Sequence, residues 1–246
     1  MVRSTVRQVI PTLSRSRLLA EIRPVAHIKT GFSEKFGIPR QSNIAHATTA
    51  KIYFEKEFKD PQVIKGLEGF DYIWLLWHFD EEVEKLTVAP PKLGGKKHMG
   101  IFATRSPLRP NHIGLSSVRL LSSGVDEVGL YLEVGGADLM DGTAIYDIKP
   151  YLPYTDAHPN ARGGYAGEVL FETLVVKYDP SVLDKLPKEI IVPLTQVLHV
   201  DPRPAYKKDS DEMYAIAYEG FDIHFTVSDG VLRVVDAIPY GERKIK

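Results

Sequence analysis

Strand-sized apolar runs, broken at short intervals by Gly, Pro, Ser and Asp, fill the first two-thirds of this 246-residue chain, and no long helical period interrupts them. Ile22–Lys29, Ala47–Phe54, Met99–Thr104, Val118–Ser122, Val128–Val134 and Ile145–Ile148 read as strands. Asp71–Phe79 is rich in aromatic and apolar residues and reads as a central strand buried on both faces. A turn-rich loop spans Thr30–Asn43, and Pro61–Leu67 fits one helical turn with Pro at its start. Many short strands at this spacing predict a sandwich or a closed barrel, and the missing helices argue against alternating βαβ units.

The pattern changes near Leu170. Ser181–Leu186 and Lys188–His199 read as helical, with Pro193 delaying or kinking the second. Met213–Tyr218, Phe221–Val227 and Val231–Val235 read as strands, separated by the hairpin signals Glu219-Gly220 and Asp229-Gly230. The expected division is a β-rich domain over residues 21–168 and a small α+β domain over 169–246. Residues 1–20 carry Arg3, Arg7, Arg15 and Arg17 without an acid, a composition shared with transit peptides. A basic N-terminal extension or an ordinary first strand over Val6–Leu13 is the preferred reading.

Several chemistries are excluded. The chain has no cysteine, which removes disulfides, thiolate metal sites and cysteine nucleophiles and agrees with a cytoplasmic location. The longest apolar stretch, Tyr72–Phe79, is too short to span a membrane. No G-x-G-x-x-G follows a strand, and neither a P-loop, an H-E-x-x-H nor a G-x-S-x-G is present. The eight histidines lack metal-ligand spacing, so no metal is expected.

Charge is distributed unevenly. The formal net charge is −1, yet Lys85 to Val125 contains no Asp or Glu and holds Lys85, Lys92, Lys96, Lys97, Arg105, Arg109 and Arg119. Such a block is the footprint expected for a phosphate-rich partner or, more plainly, a solvated basic loop. Three polar loops stand out: Gly37–Ser42 with Pro39, Arg40 and Gln41; Arg105–Ser116, stiffened by Pro107 and Pro110; and Gly135–Gly142 with Asp138 and Asp141. Taken singly, each also reads as an ordinary turn. Two glycines followed by two carboxylates suit ribose hydroxyls or an ammonium group.

Taken in order, Pro39-Arg-Gln41, Gly94-Gly95, Gly100-Ile-Phe-Ala-Thr-Arg105, Arg109-Pro-Asn111, Ile113-Gly-Leu-Ser116, Asp138, Asp141-Gly-Thr143 and Asp147-Ile-Lys-Pro-Tyr151 resemble the TrmO (YaeB-like) family of tRNA methyltransferases. The likeness runs from about Ile22 to Ala166 and continues at Asp201-Pro-Arg-Pro-Ala-Tyr206 and Gly220-Phe-Asp222. His112 and Ala144 stand where the family commonly has prolines.

The resemblance implies an N-terminal β-barrel, neither Rossmann nor knotted, that uses S-adenosylmethionine. It implies methylation of N6 of threonylcarbamoyladenosine next to the tRNA anticodon, by a homodimer whose pocket lies near the subunit interface. The implied cofactor contacts are Pro39, Arg40, Gln41, His78, Phe79, Arg105, Leu115, Asp138, Leu139, Met140 and Asp141. Arg105 or Arg40 would hold the methionine carboxylate, Asp138 or Asp141 the ribose or amino group, and Phe79 could face the sulfonium. Asp147, Lys149 and Tyr151 are candidate catalytic groups on the substrate side, and Lys92, Lys96, Lys97 and Arg109 candidate tRNA contacts. The competing reading is a non-catalytic RNA- or nucleotide-binding barrel. The acids at Asp138 and Asp141 tell against it, because carboxylates repel phosphate backbones.

Overall fold

In the computed structural model, residues 21–80, 84–90, 93, 97–168, 173–203 and 212–240 are described. The expectations for residues 1–20, Gly94-Gly95, Lys92 and Lys96 lie outside them.

The first half of the chain forms β1 (Ala26–Lys29), β2 (Thr49–Phe54), β3 (Tyr72–His78), a small flap of β4 (Thr87–Val88) and β5 (Met99–Gly100), then β6 (Ile113–Val125), β7 (Leu130–Gly135) and β8 (Ala144–Pro150). Six of these pair antiparallel in the order β1-β2-β7-β6-β3-β8. The order returns to its start through Ala26↔Ile145 and His27↔Ala144, so the sheet closes as a barrel along a seam two residue pairs long. Alternation puts Ile73, Leu75 and Trp77 of β3 inside with Ile28, Ile52, Val118, Leu132, Val134 and Ile145. Each fully buried Ile or Leu contributes roughly 1.5–3 kcal/mol.

The barrel corrects three expectations. β3 is buried on its inner face alone, because a closed sheet leaves its other face outside, half-covered by Tyr151 against Trp74. The expected strand Met99–Thr104 stops at Gly100, and Ile101–Ala103 turns as a 3-10 helix. Val118–Ser122 is the middle of the much longer β6.

Two short helices, α1 (Pro153–Asp156) and α2 (Tyr165–Glu168), follow the barrel. Asp156 accepts from the Leu152 backbone and from Trp74 Nε1, which ties α1 to the outside of β3. The second unit contains β9 (Val175–Tyr178), α3 (Pro180–Leu183), α4 (Lys188–His199), β10 (Tyr214–Tyr218), β11 (Phe221–Ser228) and β12 (Val231–Pro239). Its sheet runs β10-β11-β12-β9, with β9 parallel to β12, a strand the sequence reading missed. α4 begins at Lys188, so Pro193 lies inside it and does not delay its start. Leu194, Val197 and Leu198, at helical spacing, face the sheet. Both hairpin turns have two consecutive left-handed residues, Glu219-Gly220 and Asp229-Gly230, as the strand twist demands.

The long loop between β1 and β2 does not belong to the barrel core. Its Phe32 and Ala45 are buried with the second unit's core, and Phe36 and Ile38 pack against it. Ala47 N–H donates to Gln196 Oε1 at 2.7 Å, and Glu219 N–H to the Gly31 carbonyl at 2.9 Å. No helix among the described residues is long and apolar enough to cross a membrane.

Candidate active site

The register of β3 against β6 sets the centre of the site. Trp77 lies opposite Gly114 and Leu75 opposite Ser116. A Cβ on Gly114 would come within 2.4 Å of the Trp77 indole, so only glycine lets the ring lie flat there. In that position Trp77 Nε1 donates to Ser116 Oγ at 3.0 Å, and the hydroxyl donates to Asp138 Oδ1 at 2.6 Å. Asp138 follows β7, where the chain leaves the barrel. Asn43 closes this corner: its N–H donates to the Gly136 carbonyl at 2.8 Å, and its Nδ2 to the Ser117 carbonyl at 2.8 Å.

Desolvation pushes the Asp138 carboxyl from an ordinary 3.8 up to about 6, against the opposing pull of Ser116, of Arg105 and of the Ser42 N–H. Arg105 Nη1 donates to Gln41 Oε1 at 2.8 Å, and Gln41 Nε2 to the Arg40 carbonyl at 2.5 Å. Arg40 Nη2 donates to the Arg203 carbonyl at 2.9 Å. Arg40 is exposed as a whole residue, yet partial desolvation of its guanidinium lowers it from its ordinary value, with Asp201 opposing. The three polar loops of the sequence therefore meet: Arg105 acts on the half-buried Asp138, Gln41 holds Arg105, and Arg40 joins through its backbone carbonyl while its guanidinium turns to the Arg203 carbonyl.

Other expected residues fall in different places. Phe79 packs against Trp77 with centroids 4.1 Å apart and the rings tilted by 55°, beside this centre. Pro39 is buried in its loop. Leu139 is a barrel-core residue, 1% exposed, so only its backbone can meet a ligand. The Met140 carbonyl caps Thr143, and Met140 itself is half-buried. Asp141 Oδ1 accepts from Thr30 N–H at 2.9 Å and so holds the β1–β2 loop.

Leu115 and His78 lie on the outer face, on the opposite side of the sheet from Ser116 and Trp77. A bulge in β8 opposite Leu76 and Trp77 turns Tyr146 and Asp147 outward together. There Tyr146 Oη meets His78 Nδ1 at 2.8 Å, Lys149 pairs with Asp147 at 2.8 Å, and Tyr151 packs on Trp74 and Tyr72. The catalytic candidates Asp147, Lys149 and Tyr151 thus share a face with Leu115 and His78, across the sheet from Asp138.

Of the tRNA candidates, Lys97 is exposed. Arg109 is half-buried and donates to the Ser106 carbonyl at 2.9 Å, the Ile101 carbonyl at 3.3 Å and the Thr104 carbonyl. Its fork holds the loop together from within. Sequence reasoning missed Trp77, Ser116 and Arg203 as site residues, although all three stand in segments it had singled out. An open cavity of about 460 Å³, lined by Arg23, Pro24, His27, Glu55, Lys56 and Glu57, shares no residue with the site. Among the described residues no three His, Asp or Glu are grouped to hold a metal ion.

The fold and the site define a class of closed antiparallel barrels with a cation-and-carboxylate cluster and no dinucleotide fold, and comparison with known proteins gives the family. Residues 27–157 match the model of the tRNA-methyltransferase O N-terminal domain, and residues 169–239 that of the TrmO C-terminal domain. The chain belongs to the TrmO family. It is 34% identical over 218 residues to the Escherichia coli tRNA (adenine(37)-N6)-methyltransferase, covering 84% of this chain and 93% of that protein. A Pyrococcus abyssi protein described as a probable S-adenosyl-L-methionine-binding protein is 37% identical over 143 residues, 58% of this chain and 74% of its own. The crystal structure of TrmO from Pseudomonas aeruginosa superposes with a TM-score of 0.75 at 30% identity, covering 90% of this chain and 99% of that one.

Proposed function

We propose that this chain transfers the methyl group of S-adenosylmethionine to N6 of threonylcarbamoyladenosine beside the tRNA anticodon. The observation that carries the reading is the run of polar contacts from Arg40 through Gln41 to Arg105, which acts on the half-buried Asp138. The cofactor's methionine end is a zwitterion, and a site pairing guanidinium groups with a carboxylate matches both of its charges. His112, whose carbonyl accepts from Phe79 N–H, has its Nδ1 buried with no partner among the described residues. A polar ligand atom at that corner would satisfy it.

When bound, the cofactor supplies an electrophilic methyl on a sulfonium centre. Arg105 and Gln41 orient the carboxylate end, Asp138 takes the ammonium or ribose, and the Trp77–Phe79 pair offers an aromatic face to the cation. In-line displacement then depends mostly on positioning. The N6 proton lies between a purine and a carbonyl, so a modest base, or none, suffices. Asp147, Lys149 and Tyr151 are assigned to the substrate side. The family resemblance brings a homodimer into the reading, and residues on the outer face with Leu115 and His78 can serve a cofactor site across a contact between two copies. Lys92, Lys96 and Lys97 are assigned to the tRNA backbone in the cytoplasm, and residues 169–246 to a separate C-terminal domain.

The E. coli and human relatives are both named tRNA (adenine(37)-N6)-methyltransferases, which supports the nucleoside and the atom. The threonylcarbamoyl requirement rests on chemistry: its carbonyl acidifies N6, and its carboxylate offers a basic site an anionic handle. Sites built around such a handle discriminate strongly against a substrate lacking it. Labelled S-adenosylmethionine incubated with threonylcarbamoylated tRNA and with an unmodified transcript tests this. Methylation is expected in the first alone, and comparable incorporation into both would sink the substrate assignment.

A further inference from the structure

The loop bearing Pro39, Arg40 and Gln41 rests on the second unit, and one contact reaches Arg40 directly. Arg203, 7% exposed, pairs bidentately with Asp201: Nε to Oδ1 at 2.9 Å and Nη2 to Oδ2 at 3.0 Å. Asp201 also accepts from the Arg203 N–H, and the guanidinium carbon lies 5.9 Å from the Tyr214 ring centroid. A buried ion pair is costly to desolvate, so it contributes little as bulk adhesive. What this one does is fix a turn whose outward product is the Arg203 carbonyl, the acceptor for Arg40 Nη2.

We propose that the Asp201–Arg203 turn is a positioning element of the cofactor site, acting through Arg40. This rests on the reading that Arg40 and Gln41 hold the cofactor. A neutral carbonyl, unlike a carboxylate, orients a guanidinium without cancelling its charge, and it occupies one of five N–H donors. Arg40 is therefore aimed yet still cationic toward an anionic group. The geometry passes on, since the Arg40 carbonyl accepts from Gln41, and Gln41 accepts from Arg105. The C-terminal unit thus sets the shape of a site whose other residues come from the barrel end.

Asp201→Asn tests this with little risk to the fold. Asp201 has φ 51°, which Asn tolerates, and Asn keeps an acceptor for the Arg203 N–H while losing the charge and the fork. S-adenosylmethionine affinity is measured by calorimetry in the wild type, Asp201→Asn, Arg40→Ala and the double variant. Asp201→Asn is expected to weaken binding on the order of tenfold, one charge-assisted hydrogen bond. The double variant should bind no worse than Arg40→Ala alone. Arg203→Lys, which keeps the carbonyl and the cation but not the fork, should fall between wild type and Asp201→Asn.

Unchanged affinity in Asp201→Asn, or equal weakening in both Arg40 backgrounds, overturns the proposal. A second readout needs no cofactor: nitrogen-15 relaxation of the Arg40 guanidinium. It should report an ordered side chain in the wild type and a mobile one in Asp201→Asn, and unchanged order overturns the proposal. A wild type that binds no S-adenosylmethionine would sink the functional reading, while Arg40 order would still decide this one.

Discussion

Asp138 shows how burial converts an ordinary carboxyl into a titrating group near neutrality. Its folded value of about 6 lies above the 3.8 it has when solvated, so between these the folded chain holds a proton that the unfolded chain has released. Stability conferred by the protonated form is fully present below about pH 4 and is lost as the pH rises to about 6, by about 3 kcal/mol at most. Urea unfolding across that window should show the decline, and Asp138→Asn should flatten it. Cofactor affinity should run the other way, rising through about pH 6, because the ionised carboxylate is the form that accepts from an ammonium or a ribose hydroxyl. The same rise in Asp138→Asn would remove Asp138 from the cofactor site. Arg105→Ala should weaken cofactor binding by about 1.5–3 kcal/mol, the contribution of a hydrogen bond to a charged group. A folded Arg105→Ala protein with wild-type affinity in a calorimetric titration would rule out its role at the carboxylate.

Elements decide which of these residues can meet. The β3–β6 register places Trp77 over Gly114, and the indole's bond to Ser116 depends on that gap. Gly114→Ala should push the ring away and break the Trp77–Ser116–Asp138 chain. Overpacking of this kind costs about 1–3 kcal/mol, readable as a lower urea midpoint. A midpoint unmoved within error would mean that the ring has room the register does not suggest. Arg109 carries a related lesson. Its composition and neighbours mark it as a phosphate contact, yet its donors go to three carbonyls of its own loop. An arginine near many unpaired carbonyls in a tight turn satisfies them before it serves a partner.

The whole molecule has two cores that share a segment. Phe32 and Ala45 are buried in the second core although they connect two strands of the barrel. Pulling either unit apart exposes that loop and loosens Arg40 with it. Scanning calorimetry is expected to show one cooperative transition for the full chain. Two resolved transitions would mean that the loop does not couple the cores.

Local pattern was enough for the β-rich class, the helix over Lys188–His199 and the strands after it, both hairpin turns and the three polar loops, because period, turn chemistry and residue type act over a few neighbours. Grouping Arg105, Gln41 and Asp138 into one site came instead from the resemblance to the TrmO family, since each loop read singly is an ordinary turn. Tertiary structure alone decided the rest. Ring closure gave β3 one buried face where an open central strand would have two. A bulge in β8 sent Asp147 outward with Tyr146, and a single extra residue in a strand is invisible to alternation. Trp77 and Ser116 are distant in sequence and became partners only when two strands paired. Arg203 reaches Arg40 across 163 positions of chain. Contacts at that separation depend on how whole elements pack, and no window of neighbouring residues contains them.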